Sequence, residues 1–287
     1  MQLFYTPDHA RVGDVIPYYE NGEFKLFYLK NWNPYFGSDK TYGWHLLTTK
    51  DLIHYESETA IGILGGTGCI IKVEGLYHLY YCVFEDQPQR QYVCHATSTD
   101  LTNWTKYPDE TFGPDESIYL LTDWRDPHVI WNEEEKCWWM ILCAQNQGNT
   151  KRRGCVGLCK SADLHHWTCC EPLYAPQSSM SAYECPDLFY MNGWWYLVFS
   201  QFTDRFQTLY RMSRSCNGPW IRPKTDSFDG RAFYAAKTCS DGEHRYIFGW
   251  NPTRTQNTWN FDPDPTHEGY DYKTYDWGGS LVPHEIY

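Results

Sequence analysis

The chain has no run of 18 apolar residues, so no membrane-spanning helix is expected. Basic charge is scarce. Its 24 Lys and Arg stand against 36 Asp and Glu, a formal charge of −12, which argues against nucleic acid and anionic membranes as partners. The 12 cysteines include no C-x-x-C pair. Cys155 and Cys159, then Cys169-Cys170, flank His165-His166, but without the ligand spacing of a zinc finger. No metal is therefore expected. No segment keeps a 3.6-residue apolar period, which argues against a helical fold. Ile63 to Ile71, ILGGTGCII, lacks G-x-G-x-x-G spacing and leads into a hairpin, so it does not make a nucleotide site. The opening MQLFYTPDHARVGD has no basic segment followed by an apolar stretch. The expectation is a cytoplasmic protein whose thiols stay reduced and pack as small hydrophobes.

What the chain does have is aromatic surface and repetition. Aromatics are 18% of the residues, with 14 Trp and 24 Tyr, which suits broad sheet packing and stacking on sugar rings. Five hairpin-like units line up: IPYYENGEFKLFYL, CIIKVEGLYHLYYCV, HVIWNEEEKCWWMILC, YECPDLFYMNGWWYLVFS and FYAAKTCSDGEHRYIFGW. Four turn at a Gly preceded by Asn, Glu or Asp, where a positive φ is needed. Most are followed by a short strand, a Ser or Thr, Asp-Leu, two residues and an aromatic, at Asp51-Leu52, Asp100-Leu101 and Asp163-Leu164. Repeats of about 50 to 60 residues with three or four short strands predict a propeller. The expectation is an all-β, five-bladed β-propeller forming a single domain over residues 1–287. Strands at Gln2–Tyr5 and Ser280–Ile286 would join the two ends in one sheet. Asn251–Gly279 reads as a long polar loop.

In a propeller the first strand of each blade lines the central channel. Blades one, three and four each bring an acid to that strand's entrance: Asp14, Asp126 and Glu184. Three acids converging on one pocket repel one another and desolvate poorly, a cost that implies a role. Crowding of this kind separates a general acid from an ionised partner. Arg125 is the local partner for Asp126. Asp187 reads as a turn or strand-edge residue. Two carboxylates in an aromatic-rich pocket are the equipment of a glycosidase.

With these residues the chain resembles glycoside hydrolase family 32, the invertase, inulinase and levanase family. Tyr5-Thr6-Pro7 is followed in the family's register by Arg11-Val12-Gly13-Asp14, which places Asp14 on the nucleophile. Arg125-Asp126-Pro127 matches the R-D-P motif, whose Asp stabilises the transition state. Glu184-Cys185 matches the E-C motif, whose Glu is the acid/base. Phe233-Tyr234-Ala235 and Trp277 to Leu281 match as well. The departures are Arg11 for Trp, Gly13 for Asn and Val15-Ile16-Pro17 for Pro-Asn-Gly. Leu29 stands for Gln, Thr67-Gly68-Cys69 for Ser-Gly-Ser, and Ala232 for Asp. The chain also stops at Tyr287, without the family's C-terminal β-sandwich.

The resemblance implies a β-fructofuranosidase working by retaining double displacement. Asp14 attacks the anomeric carbon, Glu184 passes the proton and Asp126 steadies the oxocarbenium-like state. In a retaining site the Asp14 and Glu184 carboxyls lie roughly 5–5.5 Å apart. Arg125, Trp44, Thr67, Tyr234 and Arg11 are the expected substrate-binding residues. Arg11 would meet an anionic sugar phosphate or pair with Asp14 or Asp8. No cofactor is expected, and the partner is a small carbohydrate. A homo-oligomer is compatible with propeller surface left uncovered. The motifs alone leave three alternatives open: a fructosyltransferase, an inverting arabinofuranosidase- or xylosidase-like enzyme, and a non-catalytic sugar-binding propeller.

Overall fold

The computed structural model describes residues 4–8, 10–32, 43–203, 206–230, 232–252 and 277–287, the side chains of Asn31 and Trp32 excepted. They are β-structure with one short 3-10 turn, Pro108–Glu110. Among them no helix is long and apolar enough to cross a membrane. The polar stretch 253–276 lies outside the described residues, as does Gln2 of the expected N-terminal strand. The chain groups into two compact units. One comprises Met1–Leu64, Phe202–Thr208 and Asp229–Tyr287; the other comprises Gly65–Gln201 and Leu209–Phe228.

The first unit contains β1 (Ala10–Glu20), β2 (Glu23–Trp32), β3 (Gly43–Thr49) and β4 (Tyr55–Ala60). The later strands of the same sheet are introduced below in chain order. The second unit begins with β5 (Gly68–Val73), β6 (Leu76–Asp86), β7 (Gln89–Ser98) and β8 (Thr105–Lys106), in that spatial order. Next come β9 (Tyr119–Asn132), β10 (Cys137–Asn146), β11 (Gly154–Ser161) and β12 (Thr168–Tyr174), again one antiparallel sheet. A third sheet follows, with β13 (Glu184–Met191), β14 (Trp194–Gln201) and β15 (Gln207–Ser213). The chain then adds β16 (Tyr234–Ser240), β17 (Arg245–Pro252) and β18 (Gly279–Ile286) to the first unit's sheet. Its order is β16-β17-β18-β1-β2-β3-β4. The two ends of the described chain meet there. β18 pairs with β17 along its whole length and with β1 at Val12 and Gly279, while Tyr5 bridges Leu281.

All five hairpins read from the sequence form. Asn21, Glu74 and Asn192 open their turns at φ of 54°, 50° and 51°, the left-handed values that two-residue hairpin loops need. The Asp-Leu elements have one physical cause in all three repeats. Thr49 Oγ1 accepts from the amides of Asp51 and Leu52, and Asp51 Oδ1 accepts from those of Ile53 and His54. Ser98 with Asp100, and Ser161 with Asp163, repeat the pattern. These bonds hold Leu52, Leu101 and Leu164 at φ of 59°, 68° and 69°, a conformation an unsupported leucine avoids.

The core follows strand alternation. In the first unit Val12, Val15, Leu26, Tyr28, Leu47, Phe248 and Leu281 pack together. In the second, one cluster gathers Tyr119, Trp124, Met140 and Leu142, and another gathers Trp139, Tyr183, Leu197 and Phe199. Burying each such side chain contributes about 1.5–3 kcal/mol.

Candidate active site

Four of the five hairpin-opening strands are interrupted at the same point. In β1, Val12 faces Lys30 but Val15 faces Tyr28, so Gly13 and Asp14 share one opposing residue. In β9, Arg125 faces Cys143 and His128 faces Ile141, which puts Asp126 and Pro127 in the extra-residue position. In β13, Glu184 faces Ser200 and Asp187 faces Val198, leaving Cys185 and Pro186 there. In β16, Tyr234 faces Trp250 and Lys237 faces Phe248, leaving Ala235 and Ala236. β5 pairs with β6 without a slip. Such a bulge breaks the in-out alternation and re-aims side chains at the end of a strand. Pro127 and Pro186 fit because a bulge residue need not donate to the ladder.

The three acids therefore each lie at the bulge of a hairpin-opening strand, but not in one register. Glu184 immediately precedes its bulge, Asp126 is the first bulge residue and Asp14 is the second. Their equivalence in the sequence is one of location, not of position. Asp126, Cys185 and Ala235 occupy the first bulge position at φ of 59°, 49° and 53°. Each such conformation costs about 1–3 kcal/mol and persists only where neighbours enforce it. Here one bulge holds another: the Cys185 amide, released from its own ladder, donates to Asp126 Oδ2 at 2.9 Å.

Arg125 is the hub of this group. Its Nη2 donates to Glu184 Oε1 at 2.6 Å and its Nη1 to Asp123 Oδ1 at 2.6 Å and Gln91 Oε1 at 3.3 Å. Its Nε lies 3.8 Å from Asp126 Oδ2. Asp123 is held in turn by Gln145 Nε2 at 2.6 Å, and Gln91 Oε1 also accepts from the Trp124 amide at 2.9 Å. Burial works against the guanidinium charge. The carboxylates of Glu184, Asp126 and Asp123 outweigh it and raise the Arg125 pKa well above its usual value. Behind it burial pushes the Cys143 thiol well up. Asp187, on the far side of the β13 bulge, is 1% exposed with Oδ1 3.5 Å from His128 Nε2.

In the first unit Asp14 Oδ1 accepts from Trp250 Nε1 at 3.0 Å. A hydrogen bond to a carboxylate of this kind contributes about 1.5–3 kcal/mol. Trp250 is fixed by Tyr234 at 5.4 Å, Phe206 at 5.8 Å and Trp277 at 6.2 Å between ring centroids. Tyr234 lies parallel to Phe206 at 4.3 Å. Exposed Phe202 meets both edge-on. A Cβ at Gly13 would overlap the Trp277 ring, so the glycine that departs from the family motif is matched to this tryptophan. Arg11 is 1% exposed, and its Nη1 reaches the Trp277 carbonyl at 3.4 Å.

Of the residues named from the sequence, Arg125, Asp126 and Glu184 form one hydrogen-bonded group. Asp14 and Tyr234 both meet Trp250. Trp44 is buried in β3, and Thr67 is buried just ahead of β5. Sequence reading missed Asp123, Gln91, Gln145 and Trp250. Gln91 and Gln145 reach this group from β7 and β10, where spacing announces nothing, whereas Asp123 lies two residues before Arg125 on β9, a same-face spacing that could have found it. Trp250 could have been found, since it faces Tyr234 in the fifth hairpin.

The model of the glycosyl hydrolases family 32 N-terminal domain matches residues 15–271, and the chain belongs to that family. The match includes Asp126 and Glu184 and begins one residue after Asp14. A levanbiose-producing levanase of Bacillus subtilis is 26% identical over 82% of this chain and 45% of its own length. A sucrose-6-phosphate hydrolase of Escherichia coli is 28% identical over 72% of this chain and 48% of its own. The chain thus spans about half the length of these relatives. A solved GH32 beta-fructofuranosidase of Bombyx mori has a similar fold. It gives a TM-score of 0.68 at 22% identity, covering 98% of this chain and 62% of that one.

Proposed function

We propose that this chain is a retaining glycosidase that releases fructose from a β-fructofuranoside, built as one five-bladed propeller. The observation that carries the reading is the bond from Arg125 to Glu184. It ties the R-D-P and E-C segments, 59 residues apart, into one group. Repetition supports the blade count, with five hairpins, four of them bulged at a common point.

In the proposed reaction the Asp14 carboxylate attacks the anomeric carbon while Glu184 protonates the departing oxygen. Water then attacks the glycosyl-enzyme ester, giving its proton to Glu184 and freeing Asp14. With Oε1 held by Arg125, the proton in transit belongs on Oε2. Asp126, oriented by the Cys185 amide, accepts hydrogen bonds from sugar hydroxyls and steadies the positive charge developing on the ring. Trp250 aims Asp14, and the exposed Phe202 ring beside Tyr234 offers a sugar an apolar face. The twelve cysteines are all free thiols, which favours a reducing compartment.

The test is release of free fructose from sucrose, sucrose phosphate, and inulin-type and levan-type oligosaccharides. Turnover of any of them, with retained anomeric configuration in the first-formed product, supports the reading. No turnover on the whole panel refutes it.

A further inference from the structure

A second cluster lies in the second unit, built by residues the proposed reaction does not use. His95 of β7, Glu110 of the 3-10 turn and His165 of the loop between β11 and β12 converge there. Glu110 bridges the other two. Its Oε2 is 2.6 Å from His95 Nδ1 and its Oε1 is 2.8 Å from His165 Nδ1. The three donor atoms lie within 4.8 Å of one another. His95 is 3% exposed, and its ring is stacked between Tyr80 at 4.6 Å and Tyr107 at 5.2 Å, so its direction is fixed. Its other nitrogen meets His78 Nδ1 at 3.0 Å.

We propose that His95, Glu110 and His165 form a binding site for a divalent transition metal, best suited to Zn2+, that clips the β5–β8 sheet to the β9–β12 sheet.

The donor chemistry fits. Two imidazole nitrogens and one carboxylate are a zinc ligand set, and three protein ligands leave a fourth position for water. Zinc–ligand distances of about 2.0–2.2 Å in a tetrahedron put donors roughly 3.3 Å apart; Glu110 here gives one oxygen to each imidazole, so its carboxylate has to turn to offer a single oxygen to a metal held by both. Glu110 and His165 can give that movement, because their side chains are 21% and 38% exposed. Their exposure also supplies the entry path. A metal on His95 Nδ1 leaves the ring proton on Nε2, facing His78 Nδ1. That contact would fix the His95 tautomer, the part an outer hydrogen bond plays at a metal-bound histidine. The Cys155, Cys159, Cys169 and Cys170 group read beside His165 in the sequence contributes no ligand. Cys159 and Cys169 contact each other instead, Sγ to Sγ at 3.7 Å.

The test is calorimetric titration of the chelator-treated full chain with Zn2+ alone, with thermal melting and Co2+ absorption alongside. One equivalent should bind, raise Tm and give Co2+ the visible bands of a tetrahedral site. His165→Ala and Glu110→Gln should each bind about tenfold or more weakly and lose the Tm increment. His166→Ala should bind as the wild type does, since its Nδ1 faces Asp163 at 2.8 Å. Absence of stoichiometric binding by the wild type overturns the proposal. So does undiminished binding by both His165→Ala and Glu110→Gln.

Discussion

Arg125 Nη2 and Glu184 Oε1 are 2.6 Å apart, and the same guanidinium holds Asp123 at an equal distance. A planar fork can serve several acceptors at fixed angles; a lysine ammonium cannot. Arg125→Lys keeps the charge and loses the geometry. We expect kcat/KM for fructoside hydrolysis to fall about 100-fold or more, with Tm changed by only a few degrees. Kinetics and a melting curve on one preparation check this.

Gly13 and Trp277 make a second test. Gly13→Ala drives a methyl into the Trp277 ring beside Asp14. Overpacking of this kind costs about 1–3 kcal/mol, and the relief available is displacement of Trp277 or of the bulge itself. The expected outcome is a lower Tm, altered tryptophan fluorescence and loss of most activity. Wild-type stability and activity in this variant would contradict the packing described.

Stability should depend on acid through Glu58. Burial raises its pKa, but hydrogen bonds from His45, Lys30 and Tyr5 outweigh that and hold it well below the usual 4.5. A depressed carboxylate pKa contributes stability above the unfolded-state value, and that stability is lost as pH falls through and below it. Glu58→Gln should cost about 1–2 kcal/mol at pH 7, allowing for partial exposure. Its Tm should also fall less steeply than the wild type's as pH drops from about 5 to 3. Parallel melting curves across that range would show that Glu58 is not the group responsible.

Much of this was legible in the sequence, for identifiable reasons. Asn21-Gly22 and Asn192-Gly193 announce their hairpins because those residues tolerate the φ such turns demand. Thr49-x-Asp51-Leu52 and its two counterparts announce their turns because each carries its own hydrogen-bond acceptors. Arg125, Asp126 and Glu184 were identifiable by motif. The bulges were not, because an inserted residue is defined only by its partner strand. Without them the three acids look equivalent in position along their strands, and the structure separates them into three successive positions. The Arg125 clamp and the His95–Glu110–His165 cluster escaped for a related reason. Each is assembled from segments far apart in the chain, where spacing carries no signal.

The measurement that bears most directly on the proposed function is the rate of fructose release by Asp14→Ala and Glu184→Ala on the best substrate of the panel. Both variants should fold like the wild type and be slower by about 100-fold to 10,000-fold or more. Activity within about tenfold of wild type in either one would show that its carboxylate is neither nucleophile nor acid/base, and would contradict the mechanism.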